Sequence, residues 1–252
     1  MKKLIDIVKT LRSPDGCPWD RKQTHSSLVP YVLEETWEVI DEIENARLDD
    51  SLKKELGDLL LQIVLHAEIA SEEGRFTMDD VVDAISEKMV HRHPHVFKSS
   101  GNELTDKQLT EQWHDLKKKE QPGKTIRDSY LPGAPSLLNA MTISKKAAGL
   151  GFDWKTAWDV VLKIEEELEE IRQEMKAGDL EKIEEELGDL LFTITNLARF
   201  YRINPEIALK RGNDKFMKRF ESVEKAINEA REEGRDLSQP EMEAIWRKNK
   251  SS

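Results

Sequence analysis

The sequence Glu-Leu-Gly-Asp-Leu-Leu occurs twice in the chain, at residues 55–60 and again at residues 186–191. The offset is 131 residues (186 − 55), about half of the 252-residue chain. Each copy opens an apolar run and places a glutamate and an aspartate three residues apart, on one face of a helix. The repeat therefore predicts a duplicated helical unit with an acidic site in each copy.

A second acidic helix precedes each copy, and a short turn makes the two helices antiparallel neighbours. The turn lies near Arg47 in the first half and at Gly178 in the second. Counting outwards from each turn, at a rise of about 1.5 Å per residue, brings acids of the two helices level. The predicted groups of four are Glu35, Glu38, Glu55 and Asp58 in the first half and Glu167, Glu170, Glu186 and Asp189 in the second. The run 165–170 also fits a register that uses Glu166 and Glu169.

Carboxylates this close repel one another unless a cation neutralises them. Oxygen-only ligands favour a hard divalent ion, Mg²⁺ with Mn²⁺ as a possible substitute. Two alternatives remain. A di-iron bundle needs a Glu-x-x-His from each of two helices, and the chain offers only Glu111-x-x-His114. A non-enzymatic acidic scaffold that binds cations or partner helices would not need the basic and aromatic residues described below.

Apolar residues recur with helical spacing along the whole chain, and no strand-like alternation appears. The fold class is therefore predicted to be all-α, from two bundle-like halves. The predicted domains span residues 1–120 and 136–252, joined by a linker at 121–135 that is rich in proline and glycine. The predicted helices cover 2–12, 28–46, 52–73, 78–92, 105–120, 137–149, 156–176, 180–201, 205–232 and a last helix holding Trp246. Those at 52–73 and 180–201 are expected to be core helices.

The formal net charge is −11, which argues against nucleic acid or an anionic membrane as the main partner. Cys17 is the single cysteine, which excludes an intrachain disulfide and is consistent with a reducing compartment. No apolar run approaches the length of about 18 residues needed to span a bilayer. We therefore expect a cytoplasmic protein.

These motifs resemble the MazG family of nucleoside triphosphate pyrophosphohydrolases, whose pattern is Glu-Glu-x-x-Glu, a short gap and then Glu-x-x-Asp. The resemblance covers nearly the whole chain. In the first half it includes Gly-Cys-Pro-Trp-Asp at 16–20, Gln-Thr-His at 23–25 and Arg-His-Pro-His-Val-Phe at 92–97. In the second half it includes Leu-Gly-Phe-Asp-Trp at 150–154, Lys-Ile-x-Glu-Glu at 163–167 and Asn-Pro-Glu at 204–206. The resemblance implies Mg²⁺-dependent hydrolysis of NTPs and dNTPs, with broad base specificity, to the monophosphate and pyrophosphate by a homodimer of helical bundles.

When the site pattern of the family is transferred to this sequence, the two groups of four acids become magnesium ligands and catalytic residues. It implies a nucleotide site in the second half formed by Lys163, Glu166, Lys182, Lys215, Arg219 and Trp246. The duplication suggests counterparts in the first half at Glu34, Lys88, Arg92 and Trp113. Lys215 and Arg219 are spaced i, i+4, which suits phosphate oxygens. Tyr31 stands in the place of Lys163, so the first half is expected to lack a phosphate-facing lysine at the head of its acidic helix.

One further pattern is the alternation of His91, His93 and His95, which suggests a zinc site. Pro94 interrupts the run, and no cysteine lies near it in the sequence to serve as a partner ligand.

Overall fold

Helices form all of the regular secondary structure in the part of the chain that this computed structural model describes, residues 1–97, 105, 108–109, 112–113, 116, 120, 123 and 125–249. The all-α fold class is confirmed. The chain divides into two compact units, unit 1 at Met1–Pro122 and unit 2 at Gly123–Ser252. Among the described residues, no helix is both long and apolar enough to cross a membrane.

Unit 1 is built around the antiparallel pair α3 and α4, with α1 and α5 packed on α4. The core includes Val8, Leu28, Val64, Leu65 and Ile69. Its helices are α1 (Lys2–Arg12), α2 (Pro18–Lys22), α3 (His25–Glu44), α4 (Asp50–Glu72), α5 (Met78–Arg92) and α6 (Pro94–Phe97).

The segment between α1 and α3 is held by a buried arginine. The Arg12 guanidinium donates to both carboxylate oxygens of Glu72, at 2.8 and 2.7 Å, and to the backbone oxygens of Asp20 and Gln23. The turn also needs a glycine at position 16, because a Cβ there would lie 2.3 Å from the backbone oxygens of Thr10 and Leu11. These contacts fix the start of α3, where Thr24 forms a capping box with Ser27.

Unit 2 repeats this plan with the antiparallel pair α8 and α9, and α7 packs on α9. Gly178 adopts a left-handed conformation (φ 73°) at the end of α8, which lets Asp179 cap α9 at once. Its elements are a 3₁₀ turn (Arg127–Ser129), α7 (Ser136–Gly149), α8 (Ala157–Ala177), α9 (Leu180–Phe200), α10 (Pro205–Glu232) and α11 (Gln239–Asn249).

Of the two helices expected to lie in the core, α4 does supply Val64, Leu65 and Ile69 to the core of unit 1, whereas the expectation was wrong for α9. In α9 the buried residues are Thr193, Thr195 and Asn196, all polar. The apolar side chains of Leu187, Leu191 and Ile194 are 45, 53 and 43 % exposed. In α4, Leu56 and Ile63, which are the repeat equivalents of Leu187 and Ile194, are also exposed. Both helices therefore bury one face within the unit and present an apolar face outside it.

Most helix boundaries agree with the sequence analysis within one or two residues. The exception is α3, predicted to begin at residue 28, which begins at His25 and contains Pro30. The segment from Leu131 to Pro135, assigned to the linker, is attached to unit 2, because Asn139 donates to the backbone oxygens of Leu131 and Ala134. The predicted helix 105–120 lies largely outside the described residues.

Candidate metal centres

In unit 2, three carboxylates from α8 and α9 converge. Oxygens of Glu167, Glu186 and Asp189 lie within 4.8 Å of one another. Glu167 is only 3 % exposed, while Asp189 is open to solvent. Glu170 lies beside them, and its pKa is raised, first by burial and then by the carboxyl group of Glu167.

The structure also distinguishes the two registers that the sequence left open. Glu166 is exposed and pairs with Lys163 at 2.7 Å, and Glu169 is exposed and pairs with Arg172 at 3.2 Å. Glu167 is the residue that reaches the carboxylates of α9. The geometry therefore follows the Glu167/Glu170 register.

Unit 1 holds the corresponding cluster between α3 and α4. Oxygens of Glu35, Glu55 and Asp58 lie within 4.8 Å of one another. The pKa of Glu38 is raised, mainly by its interaction with the carboxyl group of Glu55, so the fourth predicted acid is also adjacent. Here the buried acid is Glu55 on the second helix of the pair, at 9 % exposure.

Mutual repulsion and burial disfavour the charged form of these acids. The pKa of Glu35 is raised by burial and by the charges of Asp58, Glu55 and Glu34. The pKa of Glu186 is raised by burial and by Glu170, Glu167 and Asp189. Each unit has therefore gathered negative charge that a cation would stabilise.

The side chains present suit a hard divalent cation. All the ligand atoms are carboxylate oxygens, grouped closely enough to share one ion, which fits Mg²⁺ or Mn²⁺. The Oε2 atom of Glu55 is buried and has no hydrogen-bond partner, although such atoms in proteins are normally satisfied. A cation bound to the cluster would supply the missing partner.

Each cluster already contains one lysine, from a different helix in each unit. In unit 2, Lys163 on α8 lies 3.0 Å from Glu167, and the pKa of Lys163 is raised by Glu166 and Glu167. In unit 1, Lys54 on α4 lies 3.2 Å from Glu55, which raises the pKa of Lys54. Sequence reasoning missed Lys54 because it compared only the acidic helices, where Tyr31 replaces Lys163.

The other basic candidates of unit 2 are distributed over α9 and α10. The Nζ atom of Lys182 lies 3.7 Å from Glu174. Lys215 and Arg219 form no ion pair within the described part of the chain. Trp246 on α11 packs against Phe216, with ring centroids 5.1 Å apart. Two cations of this set are therefore available for a ligand, while the tryptophan already has an aromatic neighbour.

In unit 1, two of the four corresponding candidates, Arg92 and Trp113, contact each other. Arg92 is buried, pairs with Glu120 and lies over the ring of Trp113 at 4.9 Å. Lys88 and Glu34 are exposed, and Glu34 contributes to the raised pKa of Glu35. The Arg92–Trp113 contact favours a structural role for these two residues.

His91, His93 and His95 do not form the zinc site that their alternation suggested. His91 contacts Glu120 at 3.2 Å, and His93 packs against Trp113 and His95. The described residues bring together no group of three metal-binding side chains that includes a histidine. Glu111 and His114, which form the Glu-x-x-His motif considered for a di-iron bundle, lie outside the described residues.

The chain matches the MazG nucleotide pyrophosphohydrolase domain twice, at residues 23–97 and 156–227. It is 43 % identical to the nucleoside triphosphate pyrophosphohydrolase/pyrophosphatase MazG of Thermotoga maritima, over 99 % of this chain and 95 % of that protein. It is 42 % identical to the nucleoside triphosphate pyrophosphohydrolase of Escherichia coli K12, over 98 % of this chain and 96 % of that protein. A crystal structure of a mazG-related protein from T. maritima covers 47 % of this chain at 25 % identity, with a TM-score of 0.41. The two domain matches confirm the tandem duplication.

A neighbouring pair of acids offers a direct test of the cluster in unit 2. We expect Glu167→Gln to weaken Mn²⁺ binding at this cluster by at least about tenfold, because it removes a buried ligand charge. Glu169→Gln is the matched control, since Glu169 lies on the same helix but pairs with Arg172 at 3.2 Å. Mn²⁺ binding is measured by electron paramagnetic resonance on the full chain. Equal losses in the two variants would contradict the placement of the site.

Proposed function

The chain belongs to the MazG family of nucleotide pyrophosphohydrolases and is a hydrolase of nucleoside triphosphates; we propose that it releases pyrophosphate and the nucleoside monophosphate in one Mg²⁺-dependent step, with broad base specificity. The observation that carries this proposal is the carboxylate cluster between two antiparallel helices, present in both units. A triphosphate chain is itself anionic, so it needs cations at an acidic site.

We assign the metal ligands to the acids that converge. In unit 2 these are Glu167, Glu170, Glu186 and Asp189, and in unit 1 they are Glu35, Glu38, Glu55 and Asp58. When bound, Mg²⁺ supplies charge neutralisation and polarisation of phosphoryl oxygens. The protein supplies fixed positions for those ions, because both helices of each pair are joined by a short turn.

The lysine of unit 2 is placed to receive the phosphate chain. Lys163 holds two carboxylates, Glu166 at 2.7 Å and Glu167 at 3.0 Å. With a divalent cation held by Glu167, Glu186 and Asp189, the charge of Glu167 would be neutralised, and Lys163 would be free to donate to a phosphate oxygen. Lys215 and Arg219 add two positive charges that are unpaired within the described ranges. In the proposed reaction the oxygen of a water would bond to the α-phosphorus, the bond from the α-phosphorus to the bridging oxygen would break, and pyrophosphate would leave. A carboxylate of the cluster would accept the proton of that water.

Unit 2 is proposed to carry most of the turnover. It has Lys163, Lys182, Lys215 and Arg219, whereas unit 1 has Tyr31 in place of Lys163 and uses Arg92 in an ion pair with Glu120. Trp246 and Glu166 complete the proposed nucleotide site of unit 2. Unit 1 is proposed to retain metal binding. Variants that neutralise one cluster at a time separate the two contributions.

A homodimer is proposed as the working form. The support is the unusual burial in α9, which hides Thr193, Thr195 and Asn196 and exposes Leu187, Leu191 and Ile194. Burying an apolar side chain is worth about 1.5–3 kcal/mol, so a second copy of the chain that covers this face would stabilise it. Sedimentation of the full chain should give twice the 29.1 kDa protomer mass, and Leu191→Glu should shift it to the monomer.

The product pattern tests the proposed reaction. With dATP and Mg²⁺ we expect dAMP and pyrophosphate in equal amounts from the first turnovers, with no dADP, because attack occurs at the α-phosphorus. EDTA should abolish the reaction and Mn²⁺ should restore it, since the ligands are carboxylate oxygens. Products are resolved by anion-exchange chromatography. Accumulation of dADP with orthophosphate, or undiminished activity in EDTA, would contradict the proposed reaction.

A further inference from the structure

The two units carry chemically different side chains at one position of the first helix of each pair, four residues before an acid of the cluster. In unit 2 this position is Lys163, four residues before the buried Glu167. In unit 1 it is Tyr31, four residues before Glu35. Side chains four residues apart lie next to each other on a helix, so Tyr31 adjoins the carboxylate cluster of unit 1. In unit 1 an aromatic ring therefore stands where unit 2 has the lysine that we propose to bind phosphate.

Tyr31 is paired with a second exposed aromatic side chain. The rings of Trp19 and Tyr31 meet edge to face, with centroids 5.9 Å apart and an interplanar angle of 79°. Trp19 is 51 % exposed and Tyr31 is 37 % exposed. An edge-to-face pair leaves ring faces open to a third planar group. Trp19 is held in place by the turn that Arg12 and Gly16 fix.

The duplication suggested Trp113 as the residue that stacks on the base in unit 1, but its ring is already in contact with other side chains. Trp113 is half-buried, with the Arg92 guanidinium over its ring and His93 beside it at 5.8 Å. Trp19 and Tyr31 are therefore the aromatic platform next to the cluster of unit 1.

A lysine lies at the opposite end of the same cluster. Pairing α3 and α4 outwards from their turn brings Lys54 level with Val39, eight residues from Tyr31 along the helix. The separation along the axis is about 12 Å, and the carboxylates lie between the two positions. Glu55, next to Lys54, is 91 % buried (9 % exposed) and has an oxygen with no hydrogen-bond partner. Along the axis of the helix pair, the Trp19–Tyr31 platform therefore comes first, the carboxylates follow, and Lys54 lies at the far end.

We propose that unit 1 has its own binding site for a metal–nucleoside triphosphate complex, in which the Trp19–Tyr31 platform stacks the base and Lys54 binds the phosphates. Stacking on an aromatic ring tolerates every base, so the site takes nucleotides as a class. The inference rests on the proposed function, because the nucleotide is the ligand in both. It assigns residues that unit 2 lacks, since Glu185 stands at the position equivalent to Lys54 and Lys163 at that of Tyr31.

The test uses the full chain labelled with 5-fluorotryptophan and observed by ¹⁹F NMR. Six tryptophans are present, and Trp19→Phe and Trp246→Phe assign the two resonances that matter. The probe is α,β-methylene-dATP with Mg²⁺, which cannot be cleaved at the α–β bond. We expect a saturable shift of the Trp19 resonance. Tyr31→Leu should raise its midpoint concentration by about tenfold, as expected for a lost stacking partner.

A matched pair of lysines tests the cation. Lys54→Met should raise the midpoint of the Trp19 shift by about tenfold, because it removes a charge-assisted contact to phosphate. Lys53→Met should leave it unchanged, since Lys53 pairs with Asp50 at 2.5 Å, and Asp50 is not one of the carboxylates of the cluster. A midpoint that Lys54→Met leaves at the wild-type value overturns the proposal.

The same samples separate this inference from the proposed function. A Trp19 resonance that stays fixed while the Trp246 resonance moves, in protein that releases pyrophosphate from dATP, overturns the site in unit 1 and leaves the proposed function standing. If neither resonance moves and no pyrophosphate is released, both proposals fail.

Discussion

Repulsion among carboxylates held between two antiparallel helices is the constraint on which the rest of each unit depends. Glu167, Glu186 and Asp189 lie within 4.8 Å of one another, as do Glu35, Glu55 and Asp58. Burial strengthens this repulsion, so the helix pairs must be held together by their other contacts. The short turns and the apolar packing of unit 1 around Val64 and Leu65 provide such contacts. A lysine in each cluster offsets part of the charge, and a divalent cation would offset the remainder.

The sequence predicted the pairing of the acids because a short turn leaves one way to bring the two helices level. It could not predict which face of α9 is buried, since Leu187, Leu191 and Ile194 look like core residues. Their exposure follows from packing that the residue pattern of one helix does not contain. The early start of α3 was missed because Thr24, which provides the cap, was not recognised as a helix N-cap. Lys54 was missed because only the first helices of the two pairs were compared, where Tyr31 stands in the place of Lys163.

The two units show how one plan can diverge while its electrostatics are preserved. In unit 1 the buried acid and its lysine, Glu55 and Lys54, both lie on the second helix of the pair. In unit 2 they are Glu167 and Lys163, and both lie on the first. Each cluster contains one buried carboxylate paired with one lysine, although the second helix supplies this pair in unit 1 and the first helix supplies it in unit 2. This exchange frees the Tyr31 position in unit 1 for an aromatic side chain.

The most direct test of the central claim, that the carboxylate cluster of unit 2 is the reaction centre, compares Asp189→Asn with Asp58→Asn. Each change removes one ligand charge and nearly preserves side-chain shape. Pyrophosphate release is measured at saturating Mg²⁺, with thermal unfolding followed by circular dichroism to verify the fold. We predict that Asp189→Asn lowers kcat by about 100-fold or more and that Asp58→Asn lowers it by less than about threefold. Near-wild-type turnover in Asp189→Asn, with loss of turnover in Asp58→Asn, would contradict the claim and place the reaction in unit 1.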